Sequence, residues 1–194
     1  MLVIGVDPDT RGTGLALIED KGEGRPVVLK CGVVPSPSGV KGIVAVEYQI
    51  QALKELLPSF PSCDIVAAEY PQSYHGYYPR GRPSSKVDPN HLIMLAAVTG
   101  AASALVSAGR VSLLRPAEWK GQTPKGASHR QICRVLGWKW EQSSRNAKTP
   151  LRDVRPARGV EILGWGGEPS KHWSEVLDAC GVALYEIKKR KGAS

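Results

Sequence analysis

The amino-acid sequence predicts an α/β fold: a mixed five-stranded sheet with its first three strands antiparallel and helices on both faces. Two patterns carry this. Three apolar runs at the start follow one another with only turn residues between them, and beyond them strand-length runs alternate with stretches of helical period. A third observation bears on function: the first and fourth runs end on acids, Asp7 and Glu69, and ligand sites in open α/β sheets lie beyond the carboxyl ends of strands. At 194 residues the chain is long enough for one full core, and we read 1–194 as one domain.

The meander consists of Leu2 to Val6, Gly14 to Glu19 and Val27 to Val34, punctuated by DPDTRG and DKGEGRP. From about Val44 to Leu57, apolar residues at Val46, Ile50, Leu53 and Leu57 recur near the helical period, and Pro58 stops the helix. CDIVAAEY is continuously apolar before its acid and suits a central strand buried on both faces. Residues 70–90, with four tyrosines, four prolines and no apolar period, read as a long loop, and such loops usually carry function. Asp88-Pro89-Asn90 opens a helix to about Ala108, Gly109 stops it, RVSLL is the fifth strand, and HRQICRVLGW is a helix. A basic, polar insertion at 139–167 reads as irregular. A helix from about Ser170 to Lys188 and a basic tail close the chain.

The formal charge is +8, and it is concentrated: Arg110 to Arg158 holds twelve Lys/Arg against Glu118, Glu141 and Asp153, or +9 net. A basic face of this kind is an electrostatic footprint for nucleic acid, with a merely soluble basic surface as the alternative. The four cysteines form no C-x-x-C pair, which excludes a zinc knuckle and a disulfide framework and leaves reduced core thiols. His91 to Gly109, the longest apolar stretch, carries Thr99, Gly100, Ser103 and Ser107 and suits a buried helix better than a bilayer span. Leu2 to Val6 is too short for the core of a signal peptide, so the expected location is the cytoplasm.

A carboxylate at the end of a buried strand is costly unless a cation, a metal or good hydrogen bonds offset it. Asp7 is either a turn residue of a tight hairpin or a ligand. Glu69 is either a ligand or an ion-pair partner of Arg80 or Arg82. On the final helix His172, Glu175 and Asp178 recur every third residue and share a face, solvated or facing a cation. If the first and fourth strands are neighbours, the acids meet at one sheet edge. Such a cluster suits Mg²⁺ or Mn²⁺, and two ions about 4 Å apart support phosphodiester hydrolysis. On that reading Asp7 is the shared ligand, while Asp9 and the glycines shape the hairpin.

Four segments in order then resemble the RuvC Holliday junction resolvases, on the RNase H-like fold. IGVDPDTRGTGLALIE resembles the family's opening strand, IVAAEYPQ its central strand ending in the catalytic Glu, and EVLDACGVAL its closing helix. RPAEWKGQTPKGASHRQICRVLG resembles the segment with a Lys at the strand exit, a Gly-bearing loop and a basic helix. The resemblance implies catalysis and metal binding by Asp7, Glu69, Glu175 and Asp178, two Mg²⁺ or Mn²⁺ ions per site, and phosphate contacts from Lys120 and Arg130; Lys125, Arg80 and Arg82 are further candidate DNA contacts. It implies a homodimer that nicks a Holliday junction or other branched DNA in pairs; the helix from His91 to Ala108 is either the dimer face or core. Glu175 stands where the family more often has Asp or His, which makes His172 a substitute ligand. No residue matches the family's aromatic wedge, leaving Tyr74, Tyr77 and Tyr78 as candidates. The long basic insertion points to a bacteriophage-type member with broader branched-DNA selectivity. Two rivals stand beside this. Actin-like ATPases and sugar kinases share the opening strand and glycine hairpin but need two lobes, and a non-cleaving DNA-binding protein would not need the acid set.

Overall fold

The structure is a computed structural model that describes residues 1–9, 12–71, 89–140, 151, 154–164 and 172–192. Strand β1 (Leu2–Asp7) turns back into β2 (Gly12–Glu19), and β2 into β3 (Val27–Pro35), each pair antiparallel. The free end of β1 is closed by the N-terminal ammonium, which donates to the Asp20 carbonyl at 2.7 Å. Helix α1 (Gly42–Leu56) and a 3₁₀ turn at Leu57–Ser59 then carry the chain back to β4 (Cys63–Glu69), parallel to β1. Helix α2 (Pro89–Leu105) leads to β5 (Ala108–Leu114), parallel to β4 on its other side. Two helices follow, the single-turn α3 (Pro116–Trp119) and α4 (Lys125–Leu136), and α5 (Trp173–Gly192) ends the described chain.

Between α4 and α5 the described residues depart from the irregular insertion expected there. Lys139–Trp140 (β6) and Val154–Arg155 (β7) form a two-stranded antiparallel ribbon, and Glu161–Leu163 (β8) joins β3 in parallel. The main sheet therefore has six strands rather than five, ordered β5-β4-β1-β2-β3-β8. Three residues are too few to show an alternating pattern. What seats β8 is tertiary: a Cβ on Gly32 would overlap the Leu163 carbonyl oxygen, and the Lys30 ammonium meets Glu161 at 2.9 Å while donating to the Ser59 carbonyl at 2.8 Å. Helix α2 stops at Leu105, earlier than expected, because β5 already begins at Ala108. No helix among the described residues is long and apolar enough to cross a membrane.

The two faces of the sheet follow from period-two alternation. Ile4, Val6, Leu15, Leu17, Val66 and Ala68 pack against Val46 and Leu53 of α1 and Val98 and Ala102 of α2. Val3, Ala16, Ile18, Ile65 and Ala67 pack against α5 and α4. Cys31, Cys133 and Cys180 sit in this second layer as free thiols, and burial pushes Cys31 and Cys133 up to about 12, so they stay protonated. Helices on both faces and the antiparallel start are as the sequence predicts.

Helix α5 lies unusually close to the sheet because β1 and β2 present glycines beneath it. A Cβ on Gly5 would overlap the Ala179 carbonyl oxygen, and one on Gly14 the Glu175 carbonyl oxygen. Gly14 is also the cross-strand partner of Asp7. These two positions set the height of the acid-bearing turns of α5 above the end of β1. Gly14→Ala is expected to lift α5 and cost about 1–3 kcal/mol, as overpacking does. Thermal melts check this, at about 2–4 °C per kcal/mol for a chain of this size.

Candidate active site

The chain order reverses between β1 and β4. From β1 the sheet grows through β2 and β3 in one direction, and from β4 through β5 in the other. Ligand sites of open sheets form at such switch points, beyond the strands' carboxyl ends. Asp7 and Glu69 are the last residues of those two strands, adjacent because Val6 pairs with Ala68. By alternation with Val3 and Gly5, and with Ile65 and Ala67, both side chains face α5. There the first turns of α5 bring Glu175 and Asp178. The structure thus gathers the four predicted acids at one place, from three separate elements.

Their electrostatics show the crowding. Asp7 is buried, and its carboxyl is held well above the usual range by burial, then by Asp178 and Glu69. Burial likewise raises Glu69 and Glu175. Asp178 goes the other way: despite its burial, hydrogen bonding from His129 and the nearby Lys125 ammonium hold it low. Lys125 donates to Asp178 Oδ2 at 2.7 Å and His129 Nε2 lies 3.1 Å from Oδ1. Glu69 Oε2 accepts the Trp119 indole N–H at 2.7 Å, with the Lys120 ammonium at 3.9 Å. His172 precedes the first turn of α5, where its carbonyl accepts the Val176 N–H at 3.3 Å and its ring acts on Glu175. Arg130 follows His129 on α4, about 100° further round the helix. Arg80, Arg82, Tyr74, Tyr77 and Tyr78 lie outside the described residues.

Whether the site suits a cation is answered by its charge and donors. Fully ionised, the four carboxyls would outnumber the ammoniums of Lys120 and Lys125 by two charges, in a place where water screens poorly. Glu175 Oε2 is buried with no hydrogen-bond partner among the described residues. The donor set is entirely carboxylate oxygen, the chemistry of Mg²⁺ and Mn²⁺. Among the described residues no three such side chains close into a ligand shell on their own; Glu69 and Asp178 instead spend oxygens on Trp119, Lys120, Lys125 and His129. The residues fit a divalent ion that takes the place of ammonium partners.

Three supporting residues were invisible in the sequence reading. Trp119 is delivered by α3, whose first turn closes with the Arg115 backbone N–H donating to Glu118 at 2.7 Å. His129 falls one turn after Lys125, a spacing that the sequence shows but that has no meaning without the partner helix. Gln49, fully buried on α1, accepts the Thr13 hydroxyl at 2.5 Å and donates to the Asp9 carbonyl at 2.9 Å and the Ser36 hydroxyl at 2.8 Å. It clamps both ends of the turn that follows Asp7.

The chain matches no family model and no curated protein. Among solved structures it is similar to RuvC of Thermus thermophilus in complex with a Holliday junction substrate, at 18% identity and a TM-score of 0.58, over 99% of this chain and 97% of that one. It is similar also to a second Thermus thermophilus RuvC structure at 21% identity, with the same TM-score of 0.58 and the same 99% and 97% coverage. At these identities the likeness establishes the fold, RNase H-like as the sequence predicts.

A raised carboxyl binds more protons in the folded than in the unfolded chain above its ordinary value near 3.8, so it costs stability as pH rises through that window. Asp7→Asn is therefore expected to melt higher than the wild type at pH 7 in chelator, with the difference shrinking as pH falls toward 4. Melts across that range check the sign.

Proposed function

We propose that the chain is a divalent-metal-dependent endonuclease that cuts branched DNA, with the four-way Holliday junction as its substrate, by paired nicks through phosphodiester hydrolysis. The observation that carries the reading is the excess of buried carboxylate at the switch point of an RNase H-like sheet, uncompensated by the two lysines beside it. Asp7, Glu69, Glu175 and Asp178, with His172 at the edge, would hold two Mg²⁺ or Mn²⁺ ions, which supply activation of water and neutralisation of transition-state charge. The protein's own residues do the rest. Lys120 and Lys125 stand at the mouth of the site, partly exposed, where each can bind a phosphate oxygen. Trp119 holds Glu69 from behind, so its carboxylate keeps one orientation when Lys120 moves. The basic residues between Arg110 and Arg158 hold the DNA backbone around an otherwise acidic site.

A second copy of this chain is the proposed partner, giving two sites for the two-fold junction. Helix α2 supports this: it has no Asp, Glu, Lys or Arg, and Ile93 on it is 66% exposed. A bacteriophage-type enzyme with broader selectivity is the finer alternative, and the location proposed is the cytoplasm.

Asp7→Asn is expected to abolish cleavage of a synthetic four-way junction in Mg²⁺ or Mn²⁺ while leaving junction binding largely intact; full cleavage by this variant overturns the reading. A panel of junction, flap, Y-fork and duplex substrates reports selectivity. Lys120→Ala is expected to weaken binding across all these substrates and reduce the salt slope of log K by about 1. Ile93→Asp is expected to shift the sedimentation of the protein toward monomer.

A further inference from the structure

His129 has no solvent exposure, and both ring nitrogens are engaged. Nδ1 accepts the Leu151 backbone N–H at 3.4 Å and so carries no proton. The single proton of the ring is then on Nε2, which faces Asp178 Oδ1 at 3.1 Å and donates to it. Lys125, one turn earlier on the same side of α4, holds the other oxygen of the same carboxylate at 2.7 Å. One face of α4 thus grips one carboxylate twice, and the two grips differ in freedom. The Lys125 side chain is 39% exposed on a flexible stem, so it can trade Asp178 for a cation's arrival or a phosphate oxygen. The imidazole is enclosed by the core that α4 and α5 share, with Ile132, Cys133 and Leu136 fixing the helix behind it, and has nowhere to go. Each carboxylate oxygen has two lone pairs. The bond from Nε2 uses one of them and leaves the other free in a fixed direction.

We propose that His129, as its Nε2–H tautomer, is the positioning residue of the carboxylate site: it fixes Asp178, while Lys125 is the exchangeable partner that a bound divalent cation displaces. Leu151 extends the arrangement. It is buried in the same core layer as Val154, so its N–H sets the tautomer, and Asp178 is oriented by α4 and by Leu151 together. The inference rests on the reading of this site as a metal centre.

The test is Mn²⁺ uptake by the full chain, read by calorimetry and by the metal-induced rise in melting temperature, neither of which needs turnover. His129→Gln and His129→Asn are compared with the wild type. Gln carries its amide nitrogen near the place of Nε2 and reaches Asp178; Asn carries its amide near Nδ1 and reaches only Leu151. Both put an amide into the same buried space, so a purely structural role predicts equal losses. The expected result is Mn²⁺ affinity close to wild type for His129→Gln and about 10–100-fold weaker for His129→Asn, the usual cost of losing a group that orients a ligand. Equal affinities in the two variants, or an Nδ1–H tautomer of His129 in the nitrogen-15 NMR spectrum of the wild type, overturn the proposal. If a variant does not fold, that spectrum decides alone. Failure of the functional reading looks different: the wild type itself takes up no Mn²⁺, which overturns the reading and this inference with it.

Discussion

Mutual repulsion among Asp7, Glu69 and Asp178 is the constraint around which the site is arranged. Carboxylates brought together at a buried sheet end cannot all stay ionised unless something compensates them, and Asp7 shows the consequence in its raised carboxyl. The protein compensates locally and incompletely. Two ammoniums, an indole N–H and an imidazole reach the cluster, and each comes from the segment between β5 and the end of α4. Glu175 receives no such partner for its buried oxygen among the described residues. The asymmetry is chemical as well as electrostatic: both oxygens of Asp178 have a partner and its carboxyl is held low, while Asp7 and Glu175 are held high.

The two layers of the sandwich divide the work. On the face of α1 and α2 the contacts are almost wholly apolar, and each fully buried Leu, Ile or Val contributes about 1.5–3 kcal/mol of transfer free energy. This layer stabilises the sheet. One polar residue of this layer, Gln49, reaches through it to hold the turn after Asp7, so the stabilising layer also fixes where the first acid points. On the other face, close approach replaces bulk: glycines in β1 and β2 admit α5 to the sheet backbone, and the acids of the helix arrive at the height of the strand ends. The start of α5 is anchored by Trp173, stacked edge-on against Trp138 at 5.8 Å. A helix held at both its approach and its start cannot drift away from the charges it brings in.

Legibility in the sequence followed range. Asp7 and Glu69 stood out because a strand-length apolar run ending in an acid is a local signal, and Glu175 and Asp178 because helical spacing puts them on one face. Gly14 was legible as a residue of the first hairpin, though its main service is to a helix some 160 positions away, and Gly5, inside the first apolar run, carried no such signal. Trp119 and His129 were not legible, since an indole beside a lysine and a histidine on an amphipathic helix acquire meaning only from Glu69 and Asp178 across the fold. Strand β8 was hidden for a related reason: it is too short for a period, and it exists because Gly32 and Lys30 on β3 make room and supply a charge for it.

The charge distribution joins the site to its surroundings. The net charge of +8 looks at odds with an acidic pocket, yet the basic excess lies in one stretch of chain, Arg110 to Arg158, whose Lys120 and Lys125 reach the acids. Helices α3 and α4 hang directly from the carboxyl end of β5, the strand beside β4, so their basic residues are delivered to the end of the sheet where the acids emerge. Among the described residues, Lys120 and Lys125 of that basic population act on the carboxylates. Their partial exposure leaves them able to turn outward. On the proposed reading, binding of divalent ions releases two ammoniums to the surface at the place where a phosphate must dock. Neutralising the pocket and charging its mouth would then be one event, because the same two side chains cannot satisfy both the carboxylates and the DNA.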